Sequence, residues 1–268
     1  MAQNDLRTYG KSPFAVALIH GGPGAAGEMK PVAEELSKGF GVLEPFQTAD
    51  SIGGQVEELR RILARHTVMP VYLVGYSWGA WLSYLVAATH PEIVKKLILV
   101  GSGPFEAKYA PDIFSTRLGR LNEREKKEAE ILLKKLQGQE SNDSDELEKF
   151  GALTSKADSY KPMRDGNVNI EVRQDIFLNI WPEASKLREK GKLLKLGEKI
   201  ACPVVAIHGD YDPHPANGVK EPLARVIKDF RFILLKNCGH KPWIEKEAKD
   251  KFYEILKKEL IEKNRKPL

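Results

Sequence analysis

The stretch Val71-Tyr72-Leu73-Val74-Gly75-Tyr76-Ser77-Trp78-Gly79-Ala80 constrains the fold more than any other part of the chain. Its four leading apolar residues, rich in valine, read as a short buried strand. Gly75 to Gly79 then turns sharply, and the run from Ala80 to Ala88 reads as a helix packed back over the sheet. Gly-x-Ser-x-Gly between a strand and a helix puts the serine at the apex of a strained turn, with its hydroxyl above the sheet. Gly75 and Gly79 lack the Cβ atoms that would collide where strand and helix cross, and Ala80 is small for the same reason. The helix N-terminus behind Ser77 favours negative charge that develops there.

A second loop has related chemistry. Phe14 to Ile19 reads as a buried strand running into His20-Gly21-Gly22-Pro23-Gly24. Three glycines and a proline expose backbone N–H groups in a fixed turn, which is what an oxyanion site requires. A phosphate-binding loop is excluded because no Gly-Lys-Ser/Thr follows. Residues 28–38 read as a helix. Gly41 to Phe46 reads as a strand whose Glu44 and Pro45 mark it as a sheet edge. Ser51 to His66 is amphipathic, with Ile52, Val56, Leu59, Ile62 and Leu63 on one face.

Val94 to Gly101 is another strand, and the alternation of strands and helices predicts a parallel sheet covered on both faces. At Ser102 the alternation stops. Helical periodicity dominates from 103 to 199: Leu121 to Leu136 carries Ile131, Leu132 and Leu136, and Ile170 to Leu187 carries Ile176, Phe177, Ile180 and Trp181. The polar, acidic stretch 139–149 reads as a loop leading into a short helix. Strands resume at Pro203 to Gly209 and Phe230 to Leu235, and an amphipathic helix from Ala248 to Lys263 closes the chain. The expected division is therefore 1–102 and 200–268 as two parts of one core, with 103–199 as a helical lid.

The loops after three strands present Ser77, Asp212 and His240. Ligands of open α/β sheets bind at that edge. The chain order serine, acid, histidine is that of the α/β-hydrolases. From about Phe14 to Leu260 the chain resembles this superfamily, and its His20-to-Gly24 loop is similar to that of the proline iminopeptidase branch. The resemblance implies an α/β-hydrolase fold with a mostly parallel sheet of about six to eight strands and a helical cap. It further implies Ser77 as nucleophile, His240 as general base and acid, and Asp212 as the orienting carboxylate. The N–H groups of Gly22 and Trp78 would form the oxyanion hole. Asp210 is the rival acid, but the family's acid follows a glycine by three residues, which selects Asp212. Gly21 and His214 are expected to line the substrate pocket.

Two departures qualify the resemblance. Phe14 opens the first expected strand, where the family usually has a preceding hairpin, so a six-stranded sheet with Gly41 to Phe46 at its edge is expected. The branch usually carries a glutamate directly after the acid, to hold a free amine, and here Pro213 stands in that place. Glu106 or Glu171 would have to substitute.

The expected function is hydrolysis of a small carboxylic ester or amide, without cofactor or metal. The alternatives are an aminopeptidase and a non-catalytic ligand-binding homologue. The net charge of +5 is spread among many acids, which reads as a solvated surface rather than a nucleic-acid footprint. No apolar run approaches membrane-spanning length. The polar start has no leader-like core, and Cys202 and Cys238 fall near opposite ends of neighbouring strands, so a cytoplasmic protein without a disulfide is expected. Oligomeric state leaves no sequence signal.

Overall fold

The computed structural model describes residues 5–137, 144–163 and 170–261. Its strands are β1 (Leu6–Tyr9), β2 (Phe14–Ile19), β3 (Ala25–Ala26), β4 (Gly41–Pro45), β5 (Val71–Tyr76), β6 (Val94–Val100), β7 (Glu171–Val172), β8 (Val204–Gly209) and β9 (Phe230–Leu235). The main sheet has seven strands in the order β1-β4-β2-β5-β6-β8-β9, while β3 and β7 pair separately. All neighbours in the main sheet are parallel except β1, which runs antiparallel to β4. The architecture is the expected α/β-hydrolase fold.

The edge differs from the expectation. Leu6 to Tyr9 forms β1 and covers β4, so Gly41 to Pro45 is an inner strand. Glu44 is accordingly fully buried, and the Tyr9 hydroxyl donates to its Oε2 at 2.7 Å. A carboxylate that reads as an edge charge is a buried acceptor instead, and burial pushes its pKa up.

Helices α1 (Lys30–Leu36), α2 (Ile52–His66), α3 (Trp78–Thr89), α9 (Asn217–Val226) and α10 (Lys249–Ile261) accompany the sheet. Every residue of α3 from Trp78 to Ala88 is buried, which makes it a core helix rather than an amphipathic surface one. The Ser51 Oγ caps α2 by accepting the Gly54 N–H, and α2 buries the face read from its sequence. One apolar layer joins α2 and α3 to the sheet; the other joins α1 and α10 through Met29, Val32, Phe252 and Leu256. Helix α1 is shorter than the expected 28–38.

Between β6 and β8 lie α4 (Asp112–Gly119), α5 (Glu123–Gln137), α6 (Ser144–Ala157), α7 (Gln174–Glu189) and α8 (Lys192–Lys195), together with β7. The expected short helix is the full α6, whose first turn carries Asp145 and Glu146, where the helix dipole favours acids. The beginning of the loop expected over 139–149 lies outside the described residues. Ile131 is 56% exposed, and the face of α5 that packs is Ala129, Leu132 and Leu136. Leu121, Ala129 and Ala157 form a small cluster of their own, whereas Ile176, Ile180, Ala184 and Leu193 join the main core beside α3. The helical segment is thus two units in packing: α4 to α6 outside, α7 and α8 in the body of the fold.

Candidate active site

Ser77 occupies the turn between β5 and α3 with φ 53° and ψ −117°, a conformation that L-residues rarely adopt. A Cβ on Gly75 would collide with the carbonyl oxygen of Gly79, and one on Gly79 with that of Ile19. The two glycines therefore let α3 cross β5 and β2 closely enough to force the turn. The Ser77 N–H donates to Val100 O at 3.0 Å, fixing the apex against β6.

Strands β8 and β9 deliver the partners. His240 Nε2 lies 3.1 Å from Ser77 Oγ, and His240 Nδ1 lies 2.7 Å from Asp212 Oδ2. Asp212 and His240 are both buried. Burial works against the Asp212 charge, but the imidazoles of His240, His208 and His214 outweigh it and hold the carboxyl well below its usual range. Burial likewise lowers the His240 pKa, and the charge and hydrogen bond of Asp212 overcome it, leaving the imidazole above its ordinary value. The structure therefore joins Ser77, His240 and Asp212 in one hydrogen-bonded line.

Asp210 faces elsewhere. Its Oδ1 accepts the Cys238 N–H at 3.2 Å, and its Oδ2 lies 3.7 Å from Lys236 Nζ. His214, expected to line the pocket, touches Asp212: its backbone N–H and its Nδ1 both reach Oδ1, at 2.9 and 2.8 Å. Asp212, His214 and His240 bring their ligand-type atoms within 4.8 Å of one another. Those atoms already face each other in hydrogen bonds, the pairing that proton transfer uses.

Gly22 has φ +106°, and a Cβ there would meet the backbone nitrogens of Gly24 and Ala25 at 2.7 and 2.9 Å. Trp78 opens α3, where N–H groups lack intrahelical acceptors. Neither the Gly22 nor the Trp78 backbone N–H donates to an acceptor among the described residues. Gly21 is the other residue expected to line the pocket. It is buried, its N–H donates to Glu28 Oε2 at 3.2 Å, and a Cβ would meet that oxygen and the Tyr76 ring. Glu28 also pairs with Lys241 at 2.8 Å, so one carboxylate ties the glycine loop to the residue after His240.

His20 Nδ1 lies 2.9 Å from Gly21 O, His90 ends α3, His66 is exposed and His208 is near the end of β8. Cys202 and Cys238 are buried and unbridged. An open apolar depression between Pro13, Val68, Met69 and Tyr72 lies at the opposite, amino-terminal edge of the sheet, away from Ser77.

The groups that hold the His240 loop carry no local signal in the sequence. Glu245 is fully buried and accepts N–H groups from Gly239 and Tyr160 on Oε1, at 2.9 and 2.8 Å, and from Lys161 on Oε2 at 2.7 Å. Arg117, Arg120 and Asp158 reach the same region from α4 and the end of α6.

The fold and this geometry meet in one family. The chain matches the family model described as the alpha/beta hydrolase fold over residues 15–247, and it belongs to that family. Among solved structures, VinJ is similar at a TM-score of 0.69 and 19% identity, covering 95% of this chain and 93% of VinJ. The enol-lactonase from Burkholderia xenovorans LB400 is similar at a TM-score of 0.63 and 18% identity, covering 96% of each chain. The monoacylglycerol lipase of Paleococcus ferrophilus is similar at 0.61 and 18%, covering 95% of this chain and 97% of that one. These likenesses concern the fold. The sequence matches no curated protein. No helix among the described residues is long and apolar enough to cross a membrane.

Proposed function

We propose that the protein is a serine hydrolase that cleaves a small carboxylic ester or amide through an acyl-enzyme. The observation that carries this reading is the line from Ser77 Oγ through His240 to Asp212, at 3.1 and 2.7 Å. His240 takes the proton of the Ser77 hydroxyl as its oxygen attacks the substrate carbonyl carbon. Asp212 holds Nδ1 protonated and stabilises the imidazolium that forms. The N–H groups of Gly22 and Trp78 receive the negative oxygen of the tetrahedral intermediate. His240 returns the proton to the leaving alcohol or amine, and water then repeats the sequence on the acyl-enzyme. In this reading α4 to α6 form a cap over the site, and neither metal nor cofactor takes part.

The aminopeptidase reading has less support. A free substrate amine needs an unneutralised acid, and Glu106 is paired with Arg225 at 2.8 Å and with Lys108 at 3.4 Å. The Glu171 side chain lies outside the described parts of the structure. A purely ligand-binding role gives no reason for Ser77 to be held in a strained turn on a histidine. The test is turnover of short-chain aryl esters and of proline arylamides by the parent protein and Ser77→Ala. Ester hydrolysis that disappears in the folded variant is expected; substantial turnover in that variant would overturn the proposal.

A further inference from the structure

We propose that Arg117 and Asp158, both in the helical segment between β6 and β8, are positioning residues for His240: the pair anchors the histidine loop and sets the charge facing the imidazole. The inference rests on the serine-hydrolase reading and extends it to residues outside the line of three.

Asp158 ends α6, and its carbonyl accepts the backbone N–H of His240 at 2.8 Å. A Cβ on the preceding Gly239 would strike that carbonyl, so only glycine allows the approach. The Asp158 carboxylate is gripped from α4 by both prongs of Arg117, Nε to Oδ1 at 2.7 Å and Nη2 to Oδ2 at 2.8 Å. A fork-to-fork pair of this kind fixes direction as well as distance. The side chains are 20% and 9% exposed. Such pairs contribute little net stability compared with apolar residues of similar size. Position beside His240 gives this one a reason.

The same helix reaches the acid. Arg120, one turn after Arg117, donates from Nη1 to Tyr211 O at 2.7 Å and to Ala157 O at 3.0 Å, with its guanidinium 3.6 Å from the Tyr211 ring centre. Tyr211 immediately precedes Asp212. Helix α4 thus holds the acid loop directly and the histidine loop through Asp158. The outer helical unit is built into the catalytic loops.

Electrostatics gives the pair a signature that simple bracing lacks. Around His240 stand Asp212 and His214 from the loop after β8, Tyr76 from β5, and Arg117 with Asp158 from the helical segment; His208 on β8 reaches Asp212, and Lys241, next in the chain, is paired with Glu28. After burial and Asp212, the Asp158 charge raises the His240 pKa and the Arg117 charge lowers it. Removing either partner should move His240 in opposite directions.

The experiment is the pH dependence of kcat/KM for an aryl ester in Asp158→Asn and Arg117→Met. The alkaline-rising limb should shift to lower pH in Asp158→Asn and to higher pH in Arg117→Met. In both, the plateau kcat should fall about tenfold or more, as small misplacements of a catalytic group do, with KM changing less. If a single variant fails to fold, Arg117→Met with Asp158→Leu removes both charges in an apolar pair that the site can bury. Its limb should return near that of the parent while its plateau stays depressed. Unmoved limbs in folded single variants, or a parental plateau in the double variant, would overturn the inference. Failure of the underlying reading looks different, because the parent protein itself would then not react with a fluorophosphonate at Ser77.

Discussion

Asp212 Oδ1 accepts two hydrogen bonds from one residue, His214, through its backbone N–H at 2.9 Å and its Nδ1 at 2.8 Å. The other oxygen, Oδ2, is left to His240. A carboxylate is only an acceptor, so Nδ1 carries the proton in both imidazoles. For His240 that leaves Nε2 without a proton and facing Ser77, the tautomer that a base requires. His214 thus keeps the acid from rotating about its own bond, and its carbonyl in turn meets His208 Nε2 at 2.8 Å.

Asp212→Asn should lower kcat by up to about four orders of magnitude, because the amide keeps the shape but favours the wrong imidazole tautomer. Asp210→Asn should cost far less, since that carboxylate serves Cys238 N–H and Lys236. Steady-state hydrolysis of one ester by the two purified variants decides between them; a more damaged Asp210 variant would make Asp210 the orienting acid.

The pH profile has a determined sign. His240 must be neutral to accept a proton, and Asp212 holds its pKa above the ordinary 6.5 even though burial pulls it down. The kcat/KM should therefore rise with pH and reach half its plateau above pH 6.5. Burial pushes His214 to about 4, so it is neutral throughout that rise and adds no second step. A midpoint below 6.5 would contradict the balance of forces at His240.

Gly22→Val tests the proposed oxyanion site, whose donors would be backbone groups that no side-chain deletion can remove. With φ +106° and the nitrogens of Gly24 and Ala25 within 3 Å of a new Cβ, the loop must shift. Loss of one oxyanion donor costs about 3 kcal/mol of transition-state stabilisation, roughly a hundredfold in rate. The loss should appear in kcat more than in binding of a neutral substrate analogue. Parental turnover in a folded Gly22→Val protein would place the oxyanion elsewhere.

Ser77, Asp212 and His240 could be read from the chain because each lies in a local pattern: the glycine-flanked turn, the acid three residues after Gly209, and Gly-His after the last strand. Strand β1 is hidden in the sequence because its partner β4 follows only after β2, β3 and α1, and Glu44 reads as an edge residue until Tyr9 covers it. Gly21 resembles Gly22 in sequence, yet Glu28 and Tyr76 bury one while the other is exposed. Arg117, Arg120, Asp158 and Glu245 look like ordinary surface charge. Their partners are backbone groups and one another, brought together only by tertiary folding. The stretch 103–199 reads as one helical block because helical periodicity shows which residues face inward, not against what. Ile176 and Ile180 face the main core, while Ala129 and Ala157 face each other's helices.

Covalent labelling is the most direct test of Ser77 as the activated nucleophile. Incubation with an alkyl fluorophosphonate, followed by intact-mass measurement and peptide mapping, should show one adduct per chain, located on Ser77. Labelling should be slowed in Asp212→Asn and absent in Ser77→Ala. A folded parent protein that acquires no adduct, or that carries it on another residue, would show that Ser77 is not the activated nucleophile.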